Sequence, residues 1–305
     1  MRNKHILFCI SHVALIILCI IFNITKAQAI TWDDYVKSVE HGKEVQIEGI
    51  SPGDSKNLTG RIYFPSEGTG PYPALVALHG AGGIFPYQLW WADWISQQGF
   101  IVLSIDSYCT RGHLCEHSSG DEDKNRGKIM RNWKKVSLKQ RMFDAVAGYQ
   151  YLSNNPLVKK DSIGLIGWSW GGTAALFTQK FSKRLSLPEN GFKGTIAFYP
   201  NFKHVQNHRQ WKGPGKIAQP TLILYGKSDS LESDGSYKKL KAAKHPGPLT
   251  VIGYKGAVRK FDELGPHRMK NHPSVGSFAK AFHKESFEKS MQDVGKFLTN
   301  NFGEM

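Results

Sequence analysis

Gly167-Trp168-Ser169-Trp170-Gly171-Gly172 sets a serine among glycines in the spacing G-x-S-x-G. A serine hydroxyl is useful as a nucleophile when a tight strand-to-helix turn presents it above a sheet, with backbone N–H groups facing it. The neighbouring residues supply that context. Ser162–Ile166 is an apolar run with the character of a strand, and Thr173–Phe181 has the character of a helix. Small flanking residues let such a turn close without a Cβ clash. Ser169 is therefore the candidate nucleophile for acyl transfer. The backbone N–H of Trp170, at the positive end of the following helix, is a candidate donor to a developing oxyanion.

A second oxyanion donor is expected from the loop after the third strand, where His79-Gly80-Ala81-Gly82-Gly83 stands. Its small residues permit close backbone approach, and the N–H of Ala81 is the candidate. His79 is read as a structural residue beneath that loop. Tyr225-Gly226-Lys227-Ser228-Asp229 ends an apolar run, so Asp229 can orient a base from a strand's C-terminal end, with Asp234 as the runner-up. An N-cap or turn role is the plainer reading of Asp229. Trp90, Trp91 and Trp94 are read as core packing.

The elements that must hold these residues form an alternating series. Val45–Ile50 and Leu58–Phe64 read as antiparallel strands joined by a Ser-Pro-Gly-Asp turn. Strands are then predicted at Ala74–Leu78, Phe100–Ile105, Ser162–Gly167, Gly194–Phe198, Thr221–Tyr225 and Leu249–Tyr254. Helices are predicted at Leu89–Gln98, Ser137–Leu152, Gly171–Phe181, Tyr237–Ala243 and Phe282–Leu298, and a surface loop at Glu116–Lys135. Continuous apolar strands alternating with helices specify an α/β fold with a mostly parallel sheet covered on both faces.

With these residues in place, the chain resembles the dienelactone hydrolase family of α/β hydrolases from about Leu58 to Leu298. The resemblance rests on Leu78–Gly83, Asp106-Ser107-Tyr108 with Arg111-Gly112, Arg141 with Asp144-Ala145, Ile166–Gly172, and Gly226 with Asp229. It implies ester or lactone hydrolysis without a cofactor, with Ser169 at the nucleophile position and Asp229 at the acid position. The family's histidine lies in a segment like Tyr-Pro-Gly-Ala-x-His-x-Phe-Asp. The matching stretch here is Tyr254-Lys255-Gly256-Ala257-Val258-Arg259-Lys260-Phe261-Asp262, which puts Arg259 in the histidine's place. A guanidinium keeps its proton at neutral pH and cannot accept one from serine. Either another histidine reaches in, or hydrolysis is lost and a binding pocket remains. His267 is the nearest downstream candidate base, followed by His272 and His283. Arg111, after a strand's C-terminal end, is a candidate substrate-side arginine, with loop ordering as the alternative.

The chain has 305 residues, 21% charged and 40% hydrophobic, a balance that excludes a disordered chain and suits one α/β domain. Arg2 and Lys4, the apolar run Ile6–Phe22 and Ala27-Gln28-Ala29 together read as a secretory signal over residues 1–29, with an uncleaved anchor as the rival. Residues 30–305 then form the single hydrolase-like domain, exported to the periplasm or medium and with no stable membrane insertion after cleavage. Cleavage removes Arg2, Lys4 and Lys26 and no acid, taking the formal charge from +15 to +12. The remaining bases are spread along the chain rather than gathered in an arm, so no specific nucleic-acid partner is expected. The expected partner is a small-molecule ester or lactone, an anionic one if Arg111 reaches it. Cys109 and Cys115 remain after cleavage, and export favours a disulfide between them. Two free thiols, or a metal pair with His113 and His117, are the alternatives.

Overall fold

The computed structural model describes residues 30–54, 56–112, 135–188, 191–202, 215–231, 234–264, 268–272 and 276–303. Residues 1–29, expected to be a signal, lie outside them, as do residues 113–134, which hold Cys115 and most of the loop expected at Glu116–Lys135, together with His267 and the side chains of Asp234 and His272. Trp32–Met305 forms one compact unit, and all the elements of the fold belong to it.

Helix α1 (Trp32–His41) precedes the antiparallel strands β1 (Lys43–Ile47) and β2 (Leu58–Tyr63). Then come β3 (Tyr72–Leu78), α2 (Pro86–Ser96), β4 (Ile101–Asp106), α3 (Leu138–Ser153), β5 (Val158–Trp168) and α4 (Trp170–Lys180). The chain continues through β6 (Thr195–Phe198), β7 (Thr221–Gly226), α5 (Asp234–Ala242), β8 (Leu249–Tyr254), the hairpin β9 (Arg268–His272) and β10 (Gly276–Lys280), and α6 (Lys284–Phe302). Eight strands form one sheet in the order β1-β2-β4-β3-β5-β6-β7-β8. β2 pairs antiparallel with both β1 and β4, and the pairings from β4 through β8 are parallel.

Strand periodicity divides the core. Ala74, Val76 and Leu78 of β3 join Ile101, Leu103 and Ile105 of β4 in one apolar cluster with Met142, Ala145 and Val146 of α3 and Ala174, Ala175 and Phe177 of α4. Trp168, Phe198 and Trp91 form an aromatic layer, with Phe198 5.6 Å from Trp168 and 5.0 Å from Trp91 between ring centroids. Trp91 also meets Phe287 of α6. A fully buried side chain of this size stabilises the fold by roughly 1.5–3 kcal/mol. The helices begin where their caps dictate. Pro86 opens α2, and the Ser137 hydroxyl accepts the Gln140 N–H at the start of α3. Among the described residues, no helix is long and apolar enough to cross a membrane.

This topology assembles a site. β3 and β5 are neighbours, so the turns leaving Leu78 and Trp168 meet at the sheet's C-terminal edge, and the turns after β7 and β8 lie on the same edge.

Candidate active site

Ser169 sits between β5 and α4 with φ 55° and ψ −115°. A non-glycine residue held there costs roughly 1–3 kcal/mol, which the surrounding bonds must offset. The Ser169 N–H donates to the Phe198 carbonyl at 2.9 Å, and its carbonyl accepts the Thr173 N–H at 3.0 Å. The Thr173 hydroxyl also donates to Asn201 O and accepts from Asn201 N, tying the elbow to the end of β6. The flanking glycines serve close approach. A Cβ on Gly171 would strike the carbonyl oxygens of Leu78 and His79, and one on Gly167 would lie 2.5 Å from Gly171 O.

The His79–Gly83 loop lies against this elbow, since a Cβ on Gly80 would be 3.5 Å from that of Ser169. Ala81 is held through its carbonyl, which accepts the Tyr108 hydroxyl at 3.1 Å. Trp170 is the first residue of α4, so its N–H belongs to the helix's opening turn. His79 is structural: its Nε2 accepts the Ser107 N–H at 3.1 Å while Nδ1 lies 2.6 Å from Gly80 O, an arrangement met by the neutral Nδ1–H tautomer. Arg141, wholly buried, donates to His79 O at 2.5 Å and reaches Gly80 O at 3.4 Å. Sequence reasoning marked Arg141 only as a point of resemblance, and its position on an otherwise apolar helix face was the available signal.

The decisive contact is made by Arg259. Its Nη1 donates to Asp229 Oδ2 at 2.7 Å and its Nη2 to Ser169 Oγ at 2.8 Å. The guanidinium is 2% exposed and its Cζ stands 5.1 Å from the Tyr199 ring centroid. Burial works against its charge, but the Asp229 carboxylate outweighs that, and the pKa ends above its ordinary value. Arg259 thus joins acid to nucleophile as a histidine would, yet as a permanent donor. Asp229 accepts on both oxygens, taking the Leu231 N–H on Oδ1 at 2.9 Å, so the turn role and the orienting position coexist.

Beneath the elbow lies Asp262, fully buried. Its Oδ1 accepts the Tyr199 hydroxyl at 2.7 Å, and its Oδ2 accepts the indole N–H of Trp168 at 3.0 Å and of Trp91 at 3.2 Å. Burial pushes its carboxyl up to about 7, with Tyr199 and Trp168 opposing and Glu263 reinforcing the shift. Asp262 therefore grips the residue before Ser169 and the ring beside Arg259.

Of the two roles open to Arg111, its contacts in this structure are those of loop ordering. Its Nε donates to Asp54 at 2.5 Å, Nη1 to Ser107 O and Asp144, and Nη2 to Asp144 at 2.8 Å, with only 4% of the side chain exposed. Two carboxylates and a carbonyl already satisfy the fork. His283 is likewise engaged elsewhere, capping α6 by accepting the Ser286 N–H. Cys109 is disulfide-bonded, and its expected partner Cys115 lies outside the described residues. No His/Cys/Asp/Glu group suited to a metal occurs among the described residues.

The profile of the dienelactone hydrolase family matches residues 58–301, most of the chain. The chain belongs to the dienelactone hydrolase family. Solved structures agree on the fold. A dienelactone hydrolase-like protein from Klebsiella pneumoniae is 17% identical, with TM-score 0.59, over 86% of this chain and 98% of that one. A dienelactone hydrolase-like promiscuous phosphotriesterase from metagenomic libraries is 16% identical, with TM-score 0.60, over 86% and 100%. Esterase 2 of Thermogutta terrifontis, phosphoramylated by tabun, is 16% identical, with TM-score 0.54, over 85% and 94%. No curated protein matches the sequence. In this member of the family a guanidinium stands between Asp229 and Ser169.

Proposed function

We propose that this chain is an exported serine hydrolase for small esters or lactones, slow because the position of its general base holds Arg259. Ser169 Oγ adds to the carbonyl carbon, the ester C–O bond breaks, and the seryl proton leaves with the alcohol product. Water then releases the acid. The N–H groups of Ala81 and Trp170 face the oxyanion in this reading. Arg259 stabilises negative charge on Ser169 Oγ without taking its proton. Positioned base catalysis is typically worth about 10²–10⁴-fold, and that is the handicap expected. An oxyanion hole with substrate binding alone still gives about 10³–10⁴-fold over water.

The observation that carries the reading is the strained elbow at Ser169, held by bonds to the end of β6 and to the first turn of α4, since such strain persists where it is used. The relative phosphoramylated by tabun makes an organophosphorus probe apt. Purified protein is treated with a fluorophosphonate beside Ser169→Ala. Slow, stoichiometric labelling of the parent alone is expected. Equal labelling of both removes Ser169 as the nucleophile.

The same Arg259 contact favours a second reading, a hydrolase-fold protein that binds a small acyl compound without turning it over. No labelling of the parent over a day selects it. Export rests on the basic, apolar and small-residue order of residues 1–29. The disulfide at Cys109 is consistent with an oxidising compartment.

A further inference from the structure

At the far end of α4, about 15 Å from Ser169 along the helix axis, a cavity opens between that helix, the turn Ser182–Leu185 and the segment leading into β7. Its volume is about 480 Å³, within the range of small-molecule sites. Two kinds of wall meet in it. One is basic: Lys180, Lys183, Arg184 and Lys216 all line it, and none of the described lining residues is acidic. The other is apolar, built on Phe181, Leu187, Phe192 and Ile217.

The cations converge. Lys180 Nζ lies 5.4 Å and Arg184 Cζ 5.5 Å from the centroid of the same Phe181 ring, and Lys180 Nζ is 5.2 Å from Phe177. Burial lowers the Lys180 pKa, so its charge is carried in partly dry surroundings. Among the described residues no carboxylate pairs with Lys183, Arg184 or Lys216. Basic residues near a helix C-terminus complement its dipole, but that end carries only about half a charge. Four cations around one concave, aromatic-floored space exceed what the dipole explains.

We propose that this cavity is a binding site for an amphiphilic phosphate, the head held by Lys180, Lys183, Arg184 and Lys216 and the alkyl body against Phe181, Leu187 and Phe192. Phosphate suits the basic wall because guanidinium and ammonium donors form charge-assisted bonds to its oxygens. The apolar wall demands more than a free ion. A soluble alkyl phosphate and a phospholipid headgroup share this chemistry, and the test separates them.

The experiment is calorimetric titration of the full folded protein with octyl phosphate below its micellar concentration. The comparisons are inorganic phosphate and vesicles of phosphatidylcholine with and without phosphatidic acid. The variant Lys183→Glu/Lys216→Glu changes only exposed positions and is checked for an unchanged unfolding midpoint and unchanged fluorophosphonate labelling. Saturable binding of octyl phosphate at one site, at least tenfold tighter than inorganic phosphate and at least tenfold weaker in the variant, is expected. Competition by phosphatidic acid vesicles identifies the source as a bilayer headgroup, and its absence identifies a soluble ligand. Equal affinity of parent and variant, equal affinity for octyl and inorganic phosphate, or vesicle binding without octyl phosphate binding overturns the proposal.

Discussion

Replacing Asp262 with asparagine removes a charge from the driest part of the site while keeping the side chain's shape. The carboxyl has no cation among its hydrogen-bond partners, only the Tyr199 hydroxyl and the indoles of Trp168 and Trp91. Its titratable neighbours are Tyr35, Tyr87 and Tyr254, neutral phenols below pH 10, and Glu263, which is paired with Lys260 and Lys280. Burial raises its pKa from 3.8 to about 7. A folded-state pKa above the unfolded one means the native protein holds its proton longer. The associated stability is fully present below about pH 4, declines as pH rises, and is gone above about pH 7. At about 1.4 kcal/mol per unit, the whole window is worth about 4 kcal/mol, of which about 3 falls between pH 5 and 8. In Asp262→Asn, the carbonyl oxygen can accept both indoles and the amide can donate to Tyr199, so nothing in the trio titrates. Urea unfolding of parent and variant at pH 5, 6, 7 and 8 isolates the effect, because their other carboxylates are common to both. The stability difference is expected to shift toward the variant by about 2–3 kcal/mol across that range. A difference that is flat, or that shifts toward the parent, refutes the reasoning. It would mean that the three donors hold the carboxylate ionised at ordinary pH.

Arg259→His is expected to raise ester hydrolysis by about 10–100-fold, up to the bottom of the range for a well-placed general base, because an imidazole lies nearer its backbone than the guanidinium it replaces. A rate profile in pH checks it, and the gain must vanish in the Ser169→Ala background. If His267 already supplies the base, His267→Ala lowers the parent's rate as far as Ser169→Ala does, and an unchanged rate excludes it. Arg141→Met leaves the His79 carbonyl without its donor and is expected to cost about 1–3 kcal/mol in urea unfolding, with slower fluorophosphonate labelling of Ser169. Intact mass of protein from the exported fraction is expected to correspond to a chain starting at Ile30, with no free thiol under denaturing, non-reducing conditions. A full-length mass, or two free thiols, contradicts the respective expectation.

What could be read from the sequence was what local chemistry dictates. The elbow was legible because its glycines stand where a Cβ would meet Leu78 O, His79 O or Gly171 O, so no other residue type fits. The buried strands were legible as apolar runs, and the six-residue span of β8 coincides with its expectation. Helix α1 was missed although Asp33 and Asp34 begin it and His41 ends it, since only Tyr35 and Ser38 are buried along its short, polar length. The β9–β10 hairpin was missed because Arg268–His272 is a polar strand with no apolar alternation. Long-range pairing was the larger gap. Arg111 could be read as a ligand for substrate as readily as a loop-ordering residue, because its partners Asp54 and Asp144 stand 57 and 33 positions away. Asp262 looked like a family landmark, while the three rings that surround it come from positions 171, 94 and 63 residues distant.

The guanidinium between Asp229 and Ser169 also fixes how the site would respond to the acidity around it. A serine–histidine array gains rate as its imidazole loses a proton and then levels off, so the plateau belongs to the protein. Arg259, with its pKa raised further by Asp229, has no such step in any range where the protein stays folded. Acylation through Ser169 is then expected to climb in proportion to hydroxide, with no shoulder near neutrality contributed by residue 259. If the proposed hydrolysis holds, such a site sets no working pH of its own: its rate is expected to follow the medium, very low in acidic surroundings and rising steadily as they turn alkaline.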